Sequence, residues 1–175
     1  MKLRKCEPNL GNFTKSLLSL GYTHYTAVLD IIDNSIAAGA TKVWVDYKFF
    51  SKRCRVIISD NGVGMDDKEL FEAMRIASAD PFQQRQNKSD LGKFGLGLKL
   101  AAFSQTETFK VISKKHHDNF SCYAWDLDIV RDNNEWLLAE YLVNEFESSN
   151  NRSTGTDVIL ESLRDYRSGE GMEKM

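Results

Sequence analysis

Apolar positions recur along this chain with two periods, and the change between them sorts it into elements. Residues 13–20, F-T-K-S-L-L-S-L, carry a short helical pattern that stops at Gly21. Thr23 is placed to cap a longer helix over 24–38, whose apolar residues Val28, Leu29, Ile32 and Ile36 recur at helical spacing before Gly39 ends it. From residue 42 the period shortens: 42–50, K-V-W-V-D-Y-K-F-F, predicts a strand, and 53–59 predicts its antiparallel partner across a turn at Ser51 and Lys52. A helix over 67–77 follows, with Asp66 and Glu69 as a capping box and Leu70, Phe71, Met74 and Ala77 as the apolar face. Residues 78–92 show no period at all, and a loop of that length inside a compact domain is usually functional or disordered. The glycine-spaced stretch 91–103, L-G-K-F-G-L-G-L-K-L-A-A-F, passes into a helix. Strands are then predicted at 106–113, 120–129, 136–143 and 155–160, with His116, His117, Asp118 and Asn119 as a solvated turn between the first two. Helices gathered early and strands gathered late predict an α+β, two-layer fold, with helices on one face of a mixed, mostly antiparallel sheet. One domain over 1–165 is expected, opening with an arm and short helix at 1–20, and 166–175 reads as a tail or the start of a linker.

Composition narrows the classes without choosing among them. The 175 residues suffice for one hydrophobic core. A net charge of -2 provides no global field for DNA or anionic lipid, so a nucleic-acid partner has no support from charge. Cys6, Cys54 and Cys122 are odd in number and widely spaced, which fits a reduced, cytoplasmic protein with Cys54 and Cys122 buried on strands. The N-terminus lacks the apolar core of a signal peptide, and no apolar run approaches the ~20 residues of a membrane span.

Three stretches carry chemistry. In D-I-I-D-N-S-I-A-A-G-A, residues 30–40, Asp30 and Asn34 are one helical turn apart on the same face. They can face a hydrated metal-phosphate group, or form the polar edge of an amphipathic helix. D-N-G-V-G-M, residues 60–65, follows a strand directly. Asp60 there can accept from an exocyclic amine such as that of adenine, Gly62 and Gly64 allow sharp turns and close approach, and Met65 can pack on a flat base. A tight strand-to-helix turn explains the same residues. Gly92, Gly95 and Gly97 leave backbone N–H groups free to surround phosphate oxygens at the start of a helix, with Lys99 and Lys93 as candidate charges; a hinge is the alternative. The P-loop and dinucleotide patterns are both absent.

The order of these pieces resembles the GHKL ATPases, the group of gyrase-type topoisomerases, heat-shock chaperones, histidine kinases and MutL. L-D-I-I-D-N-S-I-A-A-G-A is similar to the first motif of MutL, and L-G-K-F-G-L-G-L-K is similar to the MORC branch and its bacterial MutL/MORC-like relatives, some of them near restriction or phage-defence genes. The resemblance runs over residues 20–160. It implies a Bergerat-type ATP-binding fold, ATP and Mg²⁺ as ligands, Asn34 as the Mg²⁺ ligand and Asp60 as the group that binds the adenine amine. Gly62, Gly64 and Met65 would shape the base pocket, with Thr156 beside Asp60. Residues 78–92 would form an ATP lid, and Gly92, Lys93, Phe94, Gly95, Leu96, Gly97 and Lys99 would hold the phosphates. Asp30 falls where MutL-like and chaperone-like members carry the Glu that activates water. It is one methylene shorter, and such a base is commonly worth about 10²–10⁴-fold. Ala37 stands where relatives often have Asp.

The expected function is slow, Mg²⁺-dependent ATP hydrolysis by the N-terminal domain of a larger protein, in DNA repair, restriction or phage defence. Lid closure and homodimerisation would follow ATP, and a downstream domain or protein partner is expected. A nucleotide-binding switch without hydrolysis is the alternative. A histidine-kinase catalytic domain is a third reading, suggested by G-L-G-L at 95–98 and opposed by the fit of N-S-I-A-A-G-A to MutL.

Overall fold

A computed structural model describes residues 1–4, 6, 8–51, 53–76, 96–116, 118–142 and 152–163. Five helices and six strands occur among them: α1 (Leu10–Leu17), α2 (His24–Ala37), β1 (Val43–Phe50), β2 (Arg53–Asp60), α3 (Asp67–Met74), α4 (Gly97–Gln105), β3 (Thr108–Lys114), β4 (Ser121–Asp126), α5 (Leu127–Asn133), β5 (Ala139–Glu140) and β6 (Gly155–Glu161). The strands form one sheet in the order β1-β2-β6-β3-β4-β5. Every pairing is antiparallel, so the parallel component expected of a mixed sheet is absent among the described residues.

Register fixes the faces, because directly opposed residues share one. Cys54, Val56 and Ile58 of β2 lie level with Val158 and Leu160 of β6, Phe109 and Val111 of β3, and Tyr123 and Trp125 of β4. These residues form the core with Leu10, Leu17, Ala27, Ile31, Leu70, Met74, Phe103, Leu127 and Val130 of the helices. The helix layer therefore covers one face, as expected. Cys54 and Cys122 are buried on strands as predicted, and burial pushes the Cys122 thiol up to about 11.

Two predicted elements are corrected. The strand expected over 120–129 ends at Asp126, whose side chain accepts from the Asp128 and Ile129 amides and starts α5. The strand expected over 136–143 is reduced to Ala139–Glu140 among the described residues. Its Trp136 instead stands edge-on to Phe13 and Trp125, closing the core beneath α1. A third correction is one of phase. On α2 the buried residues are Ala27, Val28, Ile31 and Ser35, whereas Leu29 and Ile36 are exposed. The helix is apolar on both sides, so periodicity alone did not say which side meets the sheet. No helix among the described residues is long and apolar enough to cross a membrane.

α3 shows how short elements are held in place. Its start carries the predicted capping box between Asp66 and Glu69. Its last carbonyls, which a helix leaves without internal partners, are taken by other elements: Trp125 Nε1 donates to Met74 O at 2.9 Å and Lys99 Nζ to Ala73 O at 2.6 Å. His24 joins three elements in a similar way. Its ring lies 3.0 Å from Gln105 Oε1 and 2.8 Å from Tyr47 Oη.

Candidate functional site

The site is assembled where β2 ends. Asp60 is the last residue of β2 and is buried. Three donors hold its carboxylate: the Gly62 amide at 2.9 Å and the Thr156 amide at 3.2 Å on Oδ1, and Ser35 Oγ at 2.9 Å on Oδ2. One side chain thus ties together β2, its following turn, β6 and α2. A buried carboxylate without such partners would be costly, so the donors and the burial require each other.

Glycines are required sterically both in the turn and where β6 meets it. Gly64 has φ +67, and a Cβ there would lie 1.9 Å from Lys114 O. Gly155 has φ +130, and its Cβ would lie 2.1 Å from Asp60 O. The turn is pressed onto the ends of β3 and β6 so closely that backbone meets backbone. Ser113 locks the arrangement: its hydroxyl accepts from the Met65 amide at 2.9 Å, donates to Gly155 O at 3.2 Å and lies 2.8 Å from Thr156 Oγ1. Asn61 fixes the other side. Its Oδ1 accepts from the Thr41 and Lys42 amides, while the Val63 amide donates to Ala38 O at the end of α2.

On α2, Asp30 and Asn34 are both half-buried and Asp33 is exposed. Asn34 Nδ2 donates to Asp30 O at 2.6 Å, which fixes the amide and leaves its carbonyl oxygen as the free end. Burial raises the Tyr22 phenol above its ordinary range, and a hydrogen bond to Asp30 and that carboxylate's charge raise it further. The Tyr22 phenol therefore lies near the Asp30 carboxylate.

α4 packs on α2. Leu96 occupies its cap position, and among the described residues no side chain caps the leading N–H groups from Gly97 onward. Lys99, in this first turn, is only 2% exposed; burial pushes its ammonium down to about 8, and its proton donor is directed to Ala73 O. Gly92, Lys93, Phe94 and Gly95 lie outside the described residues, as does the segment 78–92.

The structure thus brings Asp60, Gly62, Met65 and Thr156 into one bonded network with Gly64 packed against it, while Asp30 and Asn34 lie on the helix whose Ser35 bonds Asp60. Sequence reasoning missed two members. Ser35 was legible in principle, being the polar residue four positions after the buried Ile31. Ser113 was not, because its role exists only through contacts with distant parts of the chain.

Comparison with known proteins identifies the family. Residues 22–156 match the model of the "Histidine kinase-, DNA gyrase B-, and HSP90-like ATPase" family. The chain is 23% identical to ATPase morc-1 of Caenorhabditis elegans, in an alignment covering 97% of this chain and 24% of that protein. It is 29% identical to the DNA mismatch repair protein MutL of Microcystis aeruginosa, over 55% of this chain and 17% of that protein. It is 26% identical to the chaperone protein HtpG of Rickettsia canadensis, over 73% and 20% respectively. The alignments span no more than about a quarter of any of these relatives.

Proposed function

Because the chain belongs to the family of histidine kinase-, DNA gyrase B- and HSP90-like ATPases, whose members bind ATP, we propose that it is the ATP-binding and slowly hydrolysing domain of a MutL/MORC-like protein. The observation that carries this reading is Asp60. Its Oδ1 is occupied by two backbone amides and its Oδ2 by one hydroxyl, which leaves Oδ2 with capacity to accept from the adenine amine in a fixed direction. Thr156 and the Gly62–Met65 turn would line the base pocket beside it.

The uncapped start of α4, from Leu96 and Gly97, would receive the phosphates, together with Gly92, Lys93, Phe94 and Gly95 ahead of it. Lys99 would join by turning its ammonium from Ala73 O to a phosphate oxygen. Mg²⁺ suits the donor set: Asn34 offers one neutral oxygen of fixed orientation, and this cation is commonly held by few protein groups plus phosphates and water. It would supply charge neutralisation on the phosphates. Asp30 would accept the proton of the attacking water, with the Tyr22 phenol nearby. Residues 78–92 would act as the lid, and closure would favour an ATP-dependent homodimer. DNA repair, restriction or phage defence, with a downstream domain or protein partner, is the setting this reading carries.

Two measurements test it. Asp60→Ala should abolish binding of a fluorescent ATP analogue, and retained affinity would refute the adenine contact. Asp30→Ala should lower turnover about 10²-fold or more while ATP still binds; turnover equal to wild type would remove Asp30 as the base. A second reading, a nucleotide switch without useful hydrolysis, is favoured by the short Asp30 side chain. Background turnover in wild type, with a gain in Asp30→Glu, would select it.

A further inference from the structure

β1 is the end strand of the sheet among the described residues, and apart from the charges of Asp46 and Lys48 it carries none of the features that usually blunt an edge there. It is eight residues long, holds no proline, and pairs with β2 without a bulge from Val43↔Asp60 to Phe50↔Arg53. Trp44, Val45, Tyr47, Phe49 and Phe50 are between 36% and 59% exposed. A long, regular, apolar edge of this kind is a template for another strand.

The side chains say which strand. Asp46 and Lys48 are exposed, on the same face of β1, and neither makes an ion pair among the described residues. Lys48 lies opposite Arg55 of β2, a like charge on its inner side. When two copies of β1 meet antiparallel about a twofold axis through Tyr47, each Asp46 stands opposite Lys48 of the second copy. Trp44 then meets Phe50 of the second copy, and Val45 meets Phe49 of the second copy. Each of these is a directly opposed cross-strand pair of favourable type. A shift of two residues in one direction sets Asp46 against Asp46 on the axis. The same shift in the other direction sets Lys48 against Lys48. The charges therefore select one register and penalise its neighbours on the same side-chain face.

We propose that β1 is a homodimerisation edge: two copies pair antiparallel through Val43–Phe50, with Tyr47 on the twofold axis, and join their six-stranded sheets into one. The interface is isologous, as twofold dimers require. It is independent of nucleotide and separate from the ATP-dependent closure described above.

Sedimentation velocity without nucleotide tests it. Wild type is expected to show a concentration-dependent dimer. Asp46→Lys, which sets two lysines opposite each other twice per dimer, should weaken it at least about tenfold. The charge exchange Asp46→Lys with Lys48→Asp should restore it. Tyr47→Cys in a Cys6→Ser background, oxidised without nucleotide, should give a covalent dimer, because opposed Cα atoms at about 4.5–5.5 Å lie within disulfide reach. This crosslink decides the matter if Asp46→Lys loses its fold by circular dichroism. A wild type that stays monomeric, a dimer indifferent to Asp46→Lys, or a charge exchange that fails to restore association would overturn the proposal. ATP binding by a chain that never dimerises through β1 would leave the ATPase reading intact.

Discussion

At the scale of single residues, the most constrained group is Asp60, and Ser35 is the donor that can be removed with least other damage. Ser35→Ala leaves Asp60 Oδ2 buried without its 2.9 Å hydroxyl. The expected loss is roughly 1–3 kcal/mol in urea denaturation, with weaker ATP-analogue binding. Gly64→Ala should be far worse, since its Cβ would collide with Lys114 O and its φ is +67; failure to accumulate folded protein is the expected readout. Lys99 gives a pH signature. Its folded pKa, pushed down to about 8 by burial, lies below the ordinary 10.5. Between those values the unfolded chain binds the proton more readily, so stability rises with pH across that window. Below pH 8 the cost of burying the charge is in full force, on the order of 3 kcal/mol, and above 10.5 it is gone. Wild type should therefore gain stability relative to Lys99→Met from pH 8 to 10.5, and parallel curves would contradict this burial cost. The sequence showed that Asp60, Asn34 and Lys99 were polar residues at meaningful positions. It did not show what each would bond, because the partners Ser35, Thr156 and Ala73 come from other elements.

At the scale of elements, caps were the most legible feature and faces the least. Thr23, and Asp66 with Glu69, could be read directly, since a cap and the amides it satisfies lie within one turn of sequence. Asp126 obeys the same rule and was missed because apolar residues around it suggested a continuous strand. Asp126→Ala removes the acceptor for two α5 amides and should cost about 0.5–2 kcal/mol by urea titration. An unchanged midpoint would mean that packing of Leu127 and Val130 alone sustains the helix. The phase of α2 was illegible for a different reason. Its two sides are similar in hydrophobicity, and only the sheet's placement decides that Ala27 and Ile31 are buried while Leu29 and Ile36 are exposed.

At the scale of the whole molecule, the layer arrangement followed from the grouping of helices and strands, but the strand order did not. Nothing in the local pattern of G-T-D-V-I-L indicates that β6 lies between β2 and β3. That position has a consequence for how the domain forms. The β1–β2 and β3–β4 hairpins are local and can close early, yet they become one sheet only when β6 pairs with both. The Thr156 amide reaches Asp60 across a separation of 96 residues in the chain, so a strand synthesised after both hairpins completes the part of the site that β2 carries. Pulsed hydrogen exchange during refolding should protect the amides of both hairpin ladders before those of Thr156–Leu160; simultaneous protection would contradict this order. A ligand that needs Asp60 in its final orientation binds only the finished sheet, and by mass action it holds that last docking step closed.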